Sequence, residues 1–135
     1  MREILFRGKA EIGGNWVYGD VIHRLYGTSI GVVESDGLHE LDVDEETVGQ
    51  YTGLQDKNGT KIFEGDIIRD DSANCVGVIK FGKYGIYDDY GFYVDWGEEP
   101  VPAAYLRNDL PLWVEYRAAV VIGNIYDNPE LLEVE

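Results

Sequence analysis

The chain has 135 residues, 44% of them apolar and 13% aromatic, and a formal net charge of −15 from 26 acidic and 11 basic side chains. Its length suits one domain or one domain with a small N-terminal annex, and its apolar content is enough to bury a core despite the charge. An acidic excess in both halves disfavours direct binding to a phosphate backbone, which needs lysine and arginine to displace counterions, and the longest apolar run, Ala118–Ile122, is far too short to span a bilayer.

Read in chain order, the segments "ILFRG", "NWVYGDVI" and "SIGVVE" are strand-sized, rich in β-formers and separated by turn residues. Gly13-Gly14-Asn15 joins the first two. In "LDVDEETVGQYTGL" Asp44 is placed to cap one helical turn over "EETV", which Gly49 ends. Asn58-Gly59 predicts a tight turn between "YTGLQD" and "TKIFEGD", because both residues tolerate positive φ. Gly65-Asp66 makes a second bend into a strand over Ile67–Arg69.

"CVGVIKFG" and "GFYVDWG" alternate as strands, and Ile79, Phe81, Trp96 and Val120 are expected in the core. A short helix is expected in "PAAYLRNDL", after Pro100 and Pro102, and a last strand in "YRAAVVIGNIY". The tail "DNPELLEVE" reads as a helix start, with Asn128 at the cap and Pro129 in first position. Many short strands with scraps of helix predict a mainly β protein, a small barrel or sandwich.

Chemistry-bearing motifs are sparse. His23 and His39 lie in no recognisable nucleophile motif with Cys75, and one cysteine with two histidines matches no zinc spacing. "GTSIGVVE" and "GKYGIYDDYG" lack the glycine-lysine-hydroxyl arrangement that wraps phosphates. Carboxylates are plentiful at 42–46, 70–71, 88–89 and 98–99, but they read as solvated turns, and "DKNG" does not continue as a calcium loop. No catalytic, cofactor or metal residue is assigned. Tyr84, Tyr87 and Tyr90, in a stretch dense with aromatics, are the candidate protein interface, since tyrosine offers large contact area at low entropic cost. Seventeen aromatics exceed what a small core encloses, so a homo-oligomer is expected. A lone cysteine and an N-terminus without an apolar signal core point to a reducing cytoplasm.

"VGQYTGLQDKNGTKIFEGDII", preceded by "FRGK" and "GNWVYGD", followed by "GFYVDW" and closed by "VVIGNIYDNPELL", resembles the YopX-like family of phage and prophage proteins nearly end to end. The resemblance implies an SH3-like barrel in the C-terminal part, over about residues 60–126, with no catalytic residue or cofactor. The expected division is an N-terminal β-segment, 1–59, packed on a barrel region, 60–135, that ends in a short helix. Gln50, Tyr51, Thr52 and Asp56 are the polar residues the motif makes conspicuous. The functional expectation is a phage- or prophage-encoded acidic accessory module in the host-cell cytoplasm. It is expected to be non-enzymatic and to bind a protein: itself, a host protein or a phage protein, with no direct nucleic-acid or membrane binding. The alternatives are an acidic decoy for a DNA-binding protein and a metal-assisted enzyme using the acidic loops.

Overall fold

A computed structural model describes residues 3–71, 75–85, 88–97, 109–111 (backbone only) and 119–133. The protein is mainly β, as its short apolar stretches predict. Among the described residues ten strands form two five-stranded sheets with antiparallel pairing, and one 3-10 helix, Pro129–Leu132, follows them. Two compact units divide the chain, 1–51 and 52–135.

In the first unit, β1 (Phe6–Ala10), β2 (Trp16–Arg24), β3 (Gly27–Glu34) and β4 (Gly37–Gln55) pair in sequence order. β1 also pairs with β4, so the four strands close into a ring. Register puts Ala10, Thr28 and Val43 on one face, where all three are buried beside Ile30. β4 leaves the first unit at Tyr51, and its last residues belong to the second.

The helical turn expected at "EETV" is a bulge within β4. From Arg7↔Gly49 to Lys9↔Asp44, β1 advances two residues while β4 advances five. The surplus is locked by the residues that suggested a cap. Asp44 Oδ1 accepts from the Glu46 N–H at 3.1 Å, the Thr47 hydroxyl donates to the Asp44 carbonyl at 2.6 Å, and Thr47 Oγ1 accepts from the Lys9 N–H at 2.9 Å. Capping chemistry serves a bulge as well as a helix, because both leave orphan amides beside a short polar side chain.

In the second unit β5 (Lys61–Phe63) follows β4 through the Asn58-Gly59 turn, with Gly59 at φ +84° as expected. The second sheet has the order β10-β6-β7-β8-β9, built from β6 (Asp66–Asp70), β7 (Cys75–Tyr84), β8 (Asp89–Asp95), β9 (Asp109–Pro111) and β10 (Ala119–Asn124). Its core is Ile62, Ile68, Ile79, Val94, Trp96 and Ala119. Fully burying an isoleucine contributes about 2 kcal/mol, so this cluster dominates the unit's stability. A Cβ on Gly77 would lie 2.7 Å from Val94 Cγ1 and 2.8 Å from Trp96 Cε3, so only glycine lets the indole lie against β7.

Ile79 and Trp96 are buried as expected, and Val120 is half-buried. Phe81 is not core; it is 49% exposed. β6 pairs with β7 only from Cys75 to Val78, while β8 continues to Tyr84, so beyond Val78 the strands run on as a two-stranded ribbon with Phe81 upon it. The end of the expected "PAAYLRNDL" helix, Asp109–Leu110, lies in strand β9, and its residues 102–108 lie outside the described residues. At the C-terminus Pro129 opens the 3-10 helix, but Asn128 makes no side-chain capping bond to it. Among the described residues no helix is long and apolar enough to cross a membrane.

Candidate functional site

The motif residues are held by the backbone around them. Asp56 is buried, and its carboxylate is shared between the β4–β5 turn and strand β10. Oδ1 accepts from the N–H groups of Asn58 and Thr60, both at 2.9 Å, and Oδ2 accepts from the N–H of Val121 in β10, also at 2.9 Å. An ionised carboxylate has lone pairs for all three, and charge-assisted bonds are the stronger kind. The Asp56 N–H donates to the Thr60 carbonyl at 2.8 Å, closing the turn that Asn58-Gly59 initiates.

The other three candidates are engaged separately. The Thr52 hydroxyl donates to the Ile62 carbonyl at 2.8 Å and accepts from the Leu54 N–H at 3.2 Å. Tyr51 is buried, its N–H donating to the Leu5 carbonyl at 2.7 Å. Gln50 is half-buried opposite Phe6 of β1.

Residues read from the sequence only as a bend, Gly65-Asp66, or not singled out at all, Asn124, complete the same scaffold. Buried Asp66 Oδ2 accepts from the Phe63 N–H at 2.7 Å, closing the "FEGD" bend. Buried Asn124 Oδ1 accepts from the N–H groups of Tyr126 and Asp127 at 3.0 and 2.9 Å, and its own N–H donates to Asn128 Oδ1 at 3.3 Å. Gly65 links these turns: its N–H donates to the Ile79 carbonyl and its carbonyl accepts from the Ile125 N–H. The signal for all of them was available. Asp66 and Asn124 each follow a glycine at a strand end, the setting in which a short polar side chain bonds backbone a few residues away.

Tyr84 and Tyr90 lie on the β7–β8 ribbon. Tyr84 ends β7, and Tyr90 is 71% exposed on β8. Tyr84 pairs with Asp89 and Tyr90 with Lys83, so the two tyrosines stand on opposite faces. Tyr84 stacks on Tyr93 at 5.4 Å, whereas Tyr90 meets Phe81 edge-on at 5.4 Å and Phe81 meets Phe92 at 4.8 Å. Phe81, Phe92 and Tyr90 thus carry the core face of Val94 and Ile79 outward as an aromatic ladder. Tyr87 lies outside the described residues.

Among the described residues one group of three could offer a metal its ligand atoms: Glu34, Asp36 and His39, at the β3–β4 turn. All three are exposed, and His39 Nε2 lies 2.6 Å from Asp36 Oδ1. Cys75 is half-buried, is not in a disulfide, and lies outside that group.

The sequence matches the family model for the YopX protein over residues 5–133. Among solved structures, the chain is similar to the crystal structure of protein EF1440 from Enterococcus faecalis, with a TM-score of 0.57 and 22% identity over 98% of this chain and 100% of that one. At that identity the likeness speaks to the fold. No curated protein matches. With the family match running from ahead of β1 to beyond the 3-10 helix, the chain belongs to the YopX family.

Proposed function

We propose that this is a non-enzymatic, phage- or prophage-encoded accessory module that acts by binding a protein and self-associates through β-surface. One observation carries the reading. Two of the polar side chains conspicuous in the family motif, Asp56 and Thr52, are spent on backbone groups, while large apolar side chains stand exposed on strand ribbons. Asp56 alone takes three N–H groups, leaving it poorly placed to serve as a general base or metal ligand. Phe81 and Tyr90, by contrast, form an edge-on pair of the rigid, low-entropy kind that anchors interfaces.

Self-association of a chain carrying −15 must work against charge repulsion, so it strengthens as added salt screens the subunits. Light scattering across a salt and concentration series, on the wild type and on Tyr90→Ala, tests the reading together with affinity capture from induced cells. The expected result is a mass above 15.2 kDa at moderate salt, or a specific captured protein, with either one diminished by Tyr90→Ala. A monomer at every salt that captures nothing, or saturable calcium, magnesium or manganese binding abolished by Asp56→Ala, would overturn it.

A further inference from the structure

Beyond the register shared with β1, which ends at Gly19, strands β2, β3 and β4 run on as a three-stranded arm. Three of its apolar side chains, half-buried Ile22 and exposed Val33 and Leu38, gather on one face around a glycine. Asp20 and Glu40 both lie in register with Gly31, so the three share one face. A Cβ on Gly31 would lie 2.9 Å from Ile22 Cδ1 and 3.1 Å from Leu38 Cδ1, so these two side chains close over the glycine. Leu38 is paired with Val33, and the two are 55% and 77% exposed. The result is a low apolar stripe on one face of the arm, flanked by carboxylates.

Charge selects the occupant. Arg24, the only lysine or arginine between residues 20 and 42, is engaged by Glu40 through both its Nε and its terminal nitrogen. Asp20 and Asp42 keep the flank negative, with Asp42 also accepting from the Ser29 hydroxyl at 3.0 Å. A second copy of this chain would bring the same acids against themselves, and a nucleic acid or anionic lipid surface would be repelled.

Resting on the proposal that the protein is a binding module, we infer that the Ile22–Leu38–Val33 stripe docks a basic, apolar protein segment. The segment's apolar side chains lie on the stripe and its lysines or arginines reach Asp20 and Asp42. This surface is separate in the sequence from the β7–β8 ribbon, so either can fail without the other.

The test is titration calorimetry with a short synthetic peptide alternating valine and lysine, set against a lysine–serine peptide and a valine–glutamate peptide. The valine–lysine peptide is expected to bind saturably and more weakly as salt rises, with both comparators at least about tenfold weaker, which corresponds to about 1.4 kcal/mol. Replacing the two exposed residues (Val33→Ser with Leu38→Ser) is expected to lower the affinity by a similar factor while the circular dichroism spectrum is unchanged. Asp20→Asn is expected to flatten the salt dependence. Equal binding of the lysine–serine peptide, or full affinity in the double variant, would reduce the effect to general acidity and overturn the inference. So would the absence of binding to wild-type protein, and if Tyr90-dependent self-association or capture persisted, the binding-module reading would survive that loss.

Discussion

Asp56 shows how a carboxylate in a Gly- and Asn-rich motif becomes structural. Removing it strands the amides of Asn58, Thr60 and Val121 without their acceptor. Bonds to a charged partner contribute about 1.5–3 kcal/mol each, with some recovered by water at the exposed turn. Asp56→Ala is therefore expected to cost about 3 kcal/mol in urea denaturation, and a loss under about 0.5 kcal/mol, the range of ordinary surface changes, would contradict the role. Gly59 is a backbone requirement of the same turn. At φ +84° a β-branched side chain is strained, so Gly59→Val is expected to lower the melting temperature, and an unchanged value would argue against the turn.

Asp71 differs from Asp56 in facing solvent. Hydrogen bonds from Lys57 Nζ at 2.6 Å and Arg69 Nε at 2.7 Å hold its carboxyl below its ordinary value of 3.8. A depressed folded-state pKa favours the native state above the unfolded value, and that contribution disappears as pH falls through the lowered one. Carbon-13 titration of the Asp71 carboxyl is expected to give a midpoint below 3.8 that rises toward it in Lys57→Met. A wild-type midpoint at or above 3.8 would mean that the two cations do not engage it.

Among the elements, strands with clear alternation were legible from sequence, as were the turns marked by Gly13-Gly14, Asn58-Gly59 and Gly65-Asp66, because each is decided by local conformational preference. What sequence could not supply was the partner of each strand. "EETV" satisfies a helix cap and a β-bulge alike, and only pairing with β1 selects the bulge. Phe81 continues the buried alternation of Ile79, but its neighbour β6 has ended at Val78, so the same period that buries one residue exposes the next. Trp96→Ala is expected to cost about 3–5 kcal/mol and Phe81→Ala about 1 kcal/mol or less, despite comparable aromatic bulk. Equal losses would mean that the ribbon's aromatics are enclosed. The candidate site was legible only in part, for a related reason: the motif identified Asp56 and Thr52 as conspicuous, but Asp56 accepting from β10 and Thr52 donating to β5 depend on those strands arriving beside them.

At the scale of the molecule, the motif segments 50–70 and 119–128 are where the second unit is tied together. Asp56 reaches Val121, the Lys57 N–H reaches the Ala119 carbonyl, and Gly65 reaches Ile125, joining chain segments far apart in sequence. Set against these bonds is self-repulsion from a net −15, which acts on the compact state more than on an expanded one. Raising sodium chloride from about 0.01 M to 0.15 M shortens the screening length from about 30 Å to about 8 Å, so the melting temperature is expected to rise over that interval. A fall would mean that favourable ion pairs such as Lys80–Asp95 outweigh the repulsion.

The central claim is that the motif's polar side chains hold the fold together and are not the lining of an open ligand loop. Native-state hydrogen exchange tests it most directly, at the amides of Thr60, Phe63, Val121 and Tyr126, which are bonded to Asp56, Asp66, Asp56 and Asn124. The account predicts that these amides exchange among the slowest in the protein, through openings close to global unfolding. Fast exchange by local fluctuation at these amides, while core amides such as those of Ile79 and Val94 stay protected, would contradict it.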